Sequence, residues 1–190
     1  MSINLTKINL KKEGDWASIP VKNLHCRLVW TAPVDLDLHA YYLSKNERKN
    51  NIFSRLFKGK PSHSKNEGLV YFGNYGSENK FPYICLDQDA GVGDVGGDNE
   101  ENLYFIDLSV HEYILIVANI FNKSNTSFSS YDGKVVLTAD NKEYTVPLIS
   151  QEKGSYCIIA CIDNRGEEPK LININKITNR RPKIKEFMNR

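Results

Sequence analysis

The sequence predicts an all-β protein, built as an antiparallel β-sandwich, and three observations predict it. Apolar residues recur at every second position rather than every third or fourth. The runs that carry this alternation are rich in β-branched and aromatic residues, which suit a pleated, half-buried surface. Turn signals separate them: Asp132-Gly133, Asp140-Asn141 and Asn164-Arg165-Gly166.

The elements follow in chain order. Ile3, Leu5, Ile8 and Leu10 suggest an opening edge strand, with Lys7 breaking the alternation. Residues 24–30 put Cys26, Leu28 and Trp30 on one face. Residues 36–43, 68–72, 83–86, 102–108 and 113–120 read as further strands, as do 133–138, 143–148, 156–162 and 170–174. Asp140-Asn141 marks the clearest hairpin, and residues 164–167 a second. About ten short strands joined by tight turns fit a sandwich. A helical stripe is suggested only within part of a basic insertion, residues 46–66.

Size and composition agree with one globular domain. The chain has 190 residues, 41% of them hydrophobic, and ten Tyr, eight Phe and two Trp can fill a sizeable core. No apolar run is long enough for a transmembrane helix, and residues 1–10 lack the apolar stretch of a signal peptide. A cytoplasmic location is therefore expected. Cys26, Cys85, Cys157 and Cys161 lie in apolar runs with no CxxC spacing. They read as buried free thiols rather than metal or redox centres.

The formal charge of +2 hides a strong asymmetry. Residues 45–65 carry seven Lys/Arg and one Glu, and residues 176–190 carry six Lys/Arg and one Glu. The body between and around them is therefore acidic. The insertion reads either as a mobile surface loop or as a contact surface for an anionic partner such as lipid headgroups.

Residues 87–101 are the most unusual stretch, with six carboxylates and four glycines in fifteen positions. Left alone, those charges repel, by about 1 kcal/mol per pair at 4 Å in water and more at a protein surface. A hard cation reverses that term. Calcium takes carboxylate and carbonyl oxygens, and glycines allow the sharp bends that aim carbonyls inward. A solvated acidic turn is the plainer alternative. Residues 35–40 add a second acidic motif, Asp-Leu-Asp-Leu-His-Ala. On a strand, Asp35, Asp37 and His39 share one face while Leu36, Leu38 and Ala40 share the other. Asp35 capping the turn at Pro33, with Asp37 pairing a Lys, explains them locally. A cation shared with the 87–101 loop explains both motifs at once. An EF-hand is rejected: Asp87, Asp89 and Asp98 match its first, third and last acids, but Val92 stands at its obligatory glycine and no helices flank it.

Together, Asp35-Leu36-Asp37-Leu38-His39-Ala40 and Asp87…Gly91-Val92-Gly93-Asp94…Asp98-Asn99-Glu100 resemble the TerD family of bacterial tellurium-resistance and stress proteins. Residues 3–10, 69–74, 128–138 and 156–162 agree, so the resemblance spans residues 2–176 less the insertion. It implies a calcium-binding, non-catalytic β-sandwich over residues 1–176, with 46–66 inserted and 177–190 a basic tail or linker. The implied ligands are Asp35, Asp37, Asp87, Asp89, Asp94, Asp98 and Glu100, with the carbonyls of Gly91 and Gly93, and Asn74 as a weaker candidate. Departures are visible. Leu38-His39 stand where the family has small residues, Asn99 stands where paired acids are usual, and the loop is longer around Val95-Gly96. One Ca2+ ion is the safer expectation. The shape also resembles the module that precedes a von Willebrand A-type domain. His39 is read as exposed, or as neighbour to the ion.

The functional expectation is a calcium-binding adaptor of a tellurite-resistance or stress-response system, acting on other proteins of that system. A calcium-dependent membrane-surface module, similar in principle to C2 domains and peripheral to the inner face of the membrane, is the alternative. A carbohydrate-binding sandwich is opposed by the lack of a secretion signal, and nucleic-acid binding by the acidic body. Spacing suggests no Ser/His/Asp or Cys/His set, and no glycine loop suited to phosphate, so an enzyme is not expected.

Overall fold

The computed structural model describes residues 5–45, 67–87, 99–120 and 127–188. Thirteen strands are named within them: β1 Thr6–Asn9, β2 Trp16–Ser18, β3 Lys22–Trp30, β4 Leu36–Ser44, β5 Glu67–Val70, β6 Gly76–Ser77, β7 Ile84–Leu86, β8 Asn99–Asp107, β9 His111–Ile120, β10 Lys134–Ala139, β11 Lys142–Pro147, β12 Tyr156–Asp163 and β13 Lys170–Thr178. No α-helix occurs among the described residues, only short 3-10 turns. The insertion 46–66 and residues 88–98 lie outside them.

Two sheets face each other. The first has the order β1-β11-β10-β3-β8-β7-β6, the second β2-β13-β12-β9-β4-β5. The all-β sandwich is thus as the alternation dictates. One pairing departs from the antiparallel expectation: β1 runs parallel to β11, with Thr6 opposite Lys142. Period two tells which face a residue takes, not the direction of its neighbour, so this pairing leaves no mark in the sequence. The β10–β11 hairpin turns at Asp140, whose φ of 52° is in the left-handed region that Asp tolerates.

Leu24, Cys26, Leu28 and Trp30 of β3 meet Leu36, Leu38 and Ala40 of β4 in the core between the sheets. The central strands of the second sheet, β9 and β12, are almost continuously apolar and buried on both faces. The inner face meets the first sheet. On the outer face Tyr113, Leu115, Val117, Ile158, Cys161 and Ile174 are covered by Ile184 and Phe187 of the C-terminal segment. Residues expected as a tail or linker therefore include the end of β13 and a packed strap. Tyr113 ties it down, its hydroxyl donating to the Phe187 carbonyl at 3.0 Å. All four cysteines are buried and free, as expected.

Candidate metal centre

The two acidic motifs approach one another at one end of the sandwich. The turn from β3 to β4 is fixed by the Trp30 indole, whose Nε1 donates to the Val34 carbonyl at 2.7 Å. Asn99, at the start of β8, extends its amide toward the carbonyls of Trp30 and Ala32 at 3.4 and 3.5 Å. Two residues on, the Glu101 carboxylate accepts from the backbone N–H of Leu38 on β4. That bond crosses from the first sheet to the second, and it anchors the acidic loop's exit against the Asp35–Asp37 strand.

Asp37 is buried, at 4% exposure, on the outer face of its sheet, and Asn119 on β9 donates to its Oδ2 at 3.2 Å. Glu101 is equally buried, at 3%. Glu101 thus bonds the amide that directly follows Asp37, which brings two buried acidic residues to the start of β4. Burying charge costs several kcal/mol per ion unless partners offset it. Asp35, half-buried, lies just before β4. These are hard oxygen donors, the chemistry that suits calcium. Among the described residues no three His, Cys, Asp or Glu side chains gather in a group that could hold a metal ion. A full coordination shell would draw its remaining oxygens from the loop, whose Asp89, Gly91, Gly93, Asp94 and Asp98 all lie outside the described residues.

Two expected ligands are placed elsewhere. Glu100 alternates to the outer face of the first sheet, where it pairs with Arg27 at 3.3 Å. It borders a cleft of about 480 Å³ lined by Trp30, Thr31, Asn99, Asp132 and Lys134. Asp87 closes the β7–β8 ladder, its Oδ1 accepting from the Asn102 N–H at 3.2 Å while its own N–H donates to the Asn102 carbonyl at 3.0 Å. Asn74 holds its own turn, donating to the Leu69 carbonyl at 2.8 Å. Among the described residues of the second motif, the carboxylate that reaches β4 is that of Glu101, which the sequence reading passed over. Its signal was present: Glu101, Leu103 and Phe105 share one parity, and all are buried.

His39 corrects another expectation. It is 4% exposed rather than solvated, enclosed by the rings of Tyr41, Tyr71, Phe72 and Tyr156 at centroid distances of 6.2, 5.6, 6.3 and 6.5 Å. Burial, reinforced by the Arg181 charge, holds its imidazole down at about 4, so it is neutral at pH 7.

No family model and no curated protein matches the chain. The fold has a solved counterpart. The crystal structure of SAV2460, a protein of unknown function, aligns with a TM-score of 0.53 at 14% identity, covering 84% of this chain and 94% of that one. At such low identity the likeness concerns architecture alone.

Proposed function

We propose that this chain is a calcium-binding, non-catalytic module that works through contacts with other proteins, within a bacterial stress or tellurite-resistance system. One observation carries the metal half of this reading: the buried Glu101 carboxylate bonds the amide of Leu38, the residue after Asp37, and so ties the exit of one acidic motif to the other. The cellular half rests on the resemblance of those motifs to the TerD family.

Asp35, Asp37 and Glu101 would supply oxygens from the described strands, joined by acids of the 87–98 loop. The ion would offset buried negative charge and order the loop into a surface that a partner can read. No residue here is asked to do chemistry.

Thermal melting tests this directly. An ion held at 100 times its Kd adds about 2.7 kcal/mol to the folded state. Calcium should raise the midpoint by several degrees over a chelator control, and purified protein should carry calcium by elemental analysis. An unchanged midpoint with no bound metal ends the reading.

A further inference from the structure

Three polar atoms on the outer face of the second sheet are buried without a hydrogen-bond partner: Nδ1 and Nε2 of His39, and the hydroxyl of Tyr41. His39 and Tyr41 are two apart on β4 and so share that face. A buried polar atom without a partner costs about 1–3 kcal/mol, and three in one place call for an explanation such as an ion or ligand.

Their surroundings define what would satisfy them. Tyr71, Phe72 and Tyr156 wall the cluster, and Phe72 is 38% exposed, so the cluster lies just beneath the surface. Arg181, from the C-terminal strap, lies over the Tyr71 ring with its guanidinium carbon 6.0 Å from the centroid. The Tyr71 ring beneath Arg181 packs edge-on to His39, so the guanidinium stands over the wall of the cluster. Burial meanwhile keeps the Tyr41 hydroxyl protonated, pushed up to about 12, so it remains a donor. Neutral imidazole supplies one N–H. One cation and two donors suit a negatively charged oxygen rather than a metal. Asp37 is the opposing charge on this face, and the amide of Asn119 is engaged with it.

From this geometry we infer an oxyanion site, in which the phosphate or carboxylate group of a ligand is held by Arg181 and accepts from the His39 ring N–H and the Tyr41 hydroxyl. Arg181 is exposed, so its side chain can swing aside to admit the group and return as its charged partner. The aromatic walls would shield the resulting charge-assisted bonds from water. This site is separate from the proposed calcium ligands in its chemistry, and it is tested in chelator so that the two stand or fall apart.

The test is an NMR titration of the full chain, following the His39 ring and Tyr156 resonances, with inorganic phosphate in one arm and acetate in the other at constant ionic strength. Saturable shifts below about 50 mM are expected, a millimolar-range affinity. Arg181→Gln should weaken the response at least tenfold, Arg181→Lys less, and Tyr41→Phe severalfold. Saturation by phosphate alone assigns a phosphoryl group, by acetate alone a carboxylate, and by both a general oxyanion site. Absence of saturation with either anion overturns the inference. So does a response that Arg181→Gln leaves unchanged.

Discussion

Glu101 is a single side chain on which two proposals about stability converge. Its carboxylate satisfies a buried amide, and its charge is one of those a cation would offset. Glu101→Ala strands the Leu38 N–H and should cost about 1–3 kcal/mol in urea denaturation even in chelator. Glu101→Gln keeps an acceptor oxygen and loses only the charge, so in chelator it should cost far less. In calcium it should lose most of the metal-dependent gain. The pair of variants, each melted with and without calcium, separates the hydrogen bond from the ion. His111 offers a second residue-level prediction. It is 1% exposed, its Nε2 donating to the Pro82 carbonyl at 2.6 Å, and burial holds its pKa below the ordinary 6.5 despite that bond. The unfolded chain therefore takes up a proton near pH 6.5 that the folded chain resists, and stability should fall as pH drops below that value. His111→Gln, which retains a donor but does not titrate, should flatten that slope in pH-dependent melts. Sequence parity already contained the inward aim of Glu101. What parity could not reveal was the burial of His39, because its covering rings come from Tyr71 and Tyr156, remote along the chain.

The C-terminal strap shows the same limit on the scale of elements. Residues 176–190 are dominated by basic side chains, and their few apolar residues make no periodic run. Their packing partner is assembled from β9, β12 and β13, so no local pattern announces it. In the folded chain the apolar minority governs. Phe187 is 4% exposed, and Phe187→Ala should lower the unfolding free energy by about 3 kcal/mol, the low end for a buried Phe. Lys185, paired with Glu67 at 2.8 Å, is 75% exposed at its side chain, so Lys185→Ala should cost less than about 1 kcal/mol. Urea midpoints of the two variants compare the terms directly. Cys161, beneath the strap, adds a local readout: Phe187→Ala should speed its alkylation relative to Cys26, which lies between the sheets. Longer strands with strong alternation were legible throughout. Strands β2 and β6 were not, since three and two residues are too few to show a period.

At the scale of the whole molecule, calcium-dependent vesicle binding separates the proposed adaptor from a membrane binder. A calcium-dependent membrane module would use its ions to bridge anionic headgroups, aided by basic segments. For the adaptor, phosphatidylserine vesicles should pellet no more protein in calcium than in chelator at physiological salt. Calcium-dependent pelleting would move the reading to the membrane surface. The sandwich itself was legible because alternation and turn chemistry act locally and repeat many times. The site was legible only in part: its two motifs stand out in composition, but which carboxylate reaches the other sheet depends on strand parity and on a cross-sheet contact 63 residues apart.

The seat of β1 parallel to β11, and of β2 antiparallel to β13, has a bearing on how the chain is made. Thr6 waits for Lys142, and Trp16 for Ile172. A ribosome emits these strands first, yet each must idle until its distant partner strand has emerged, and pairings so distant in sequence are slow to close. Of the described strands, the two made first are among those fastened late.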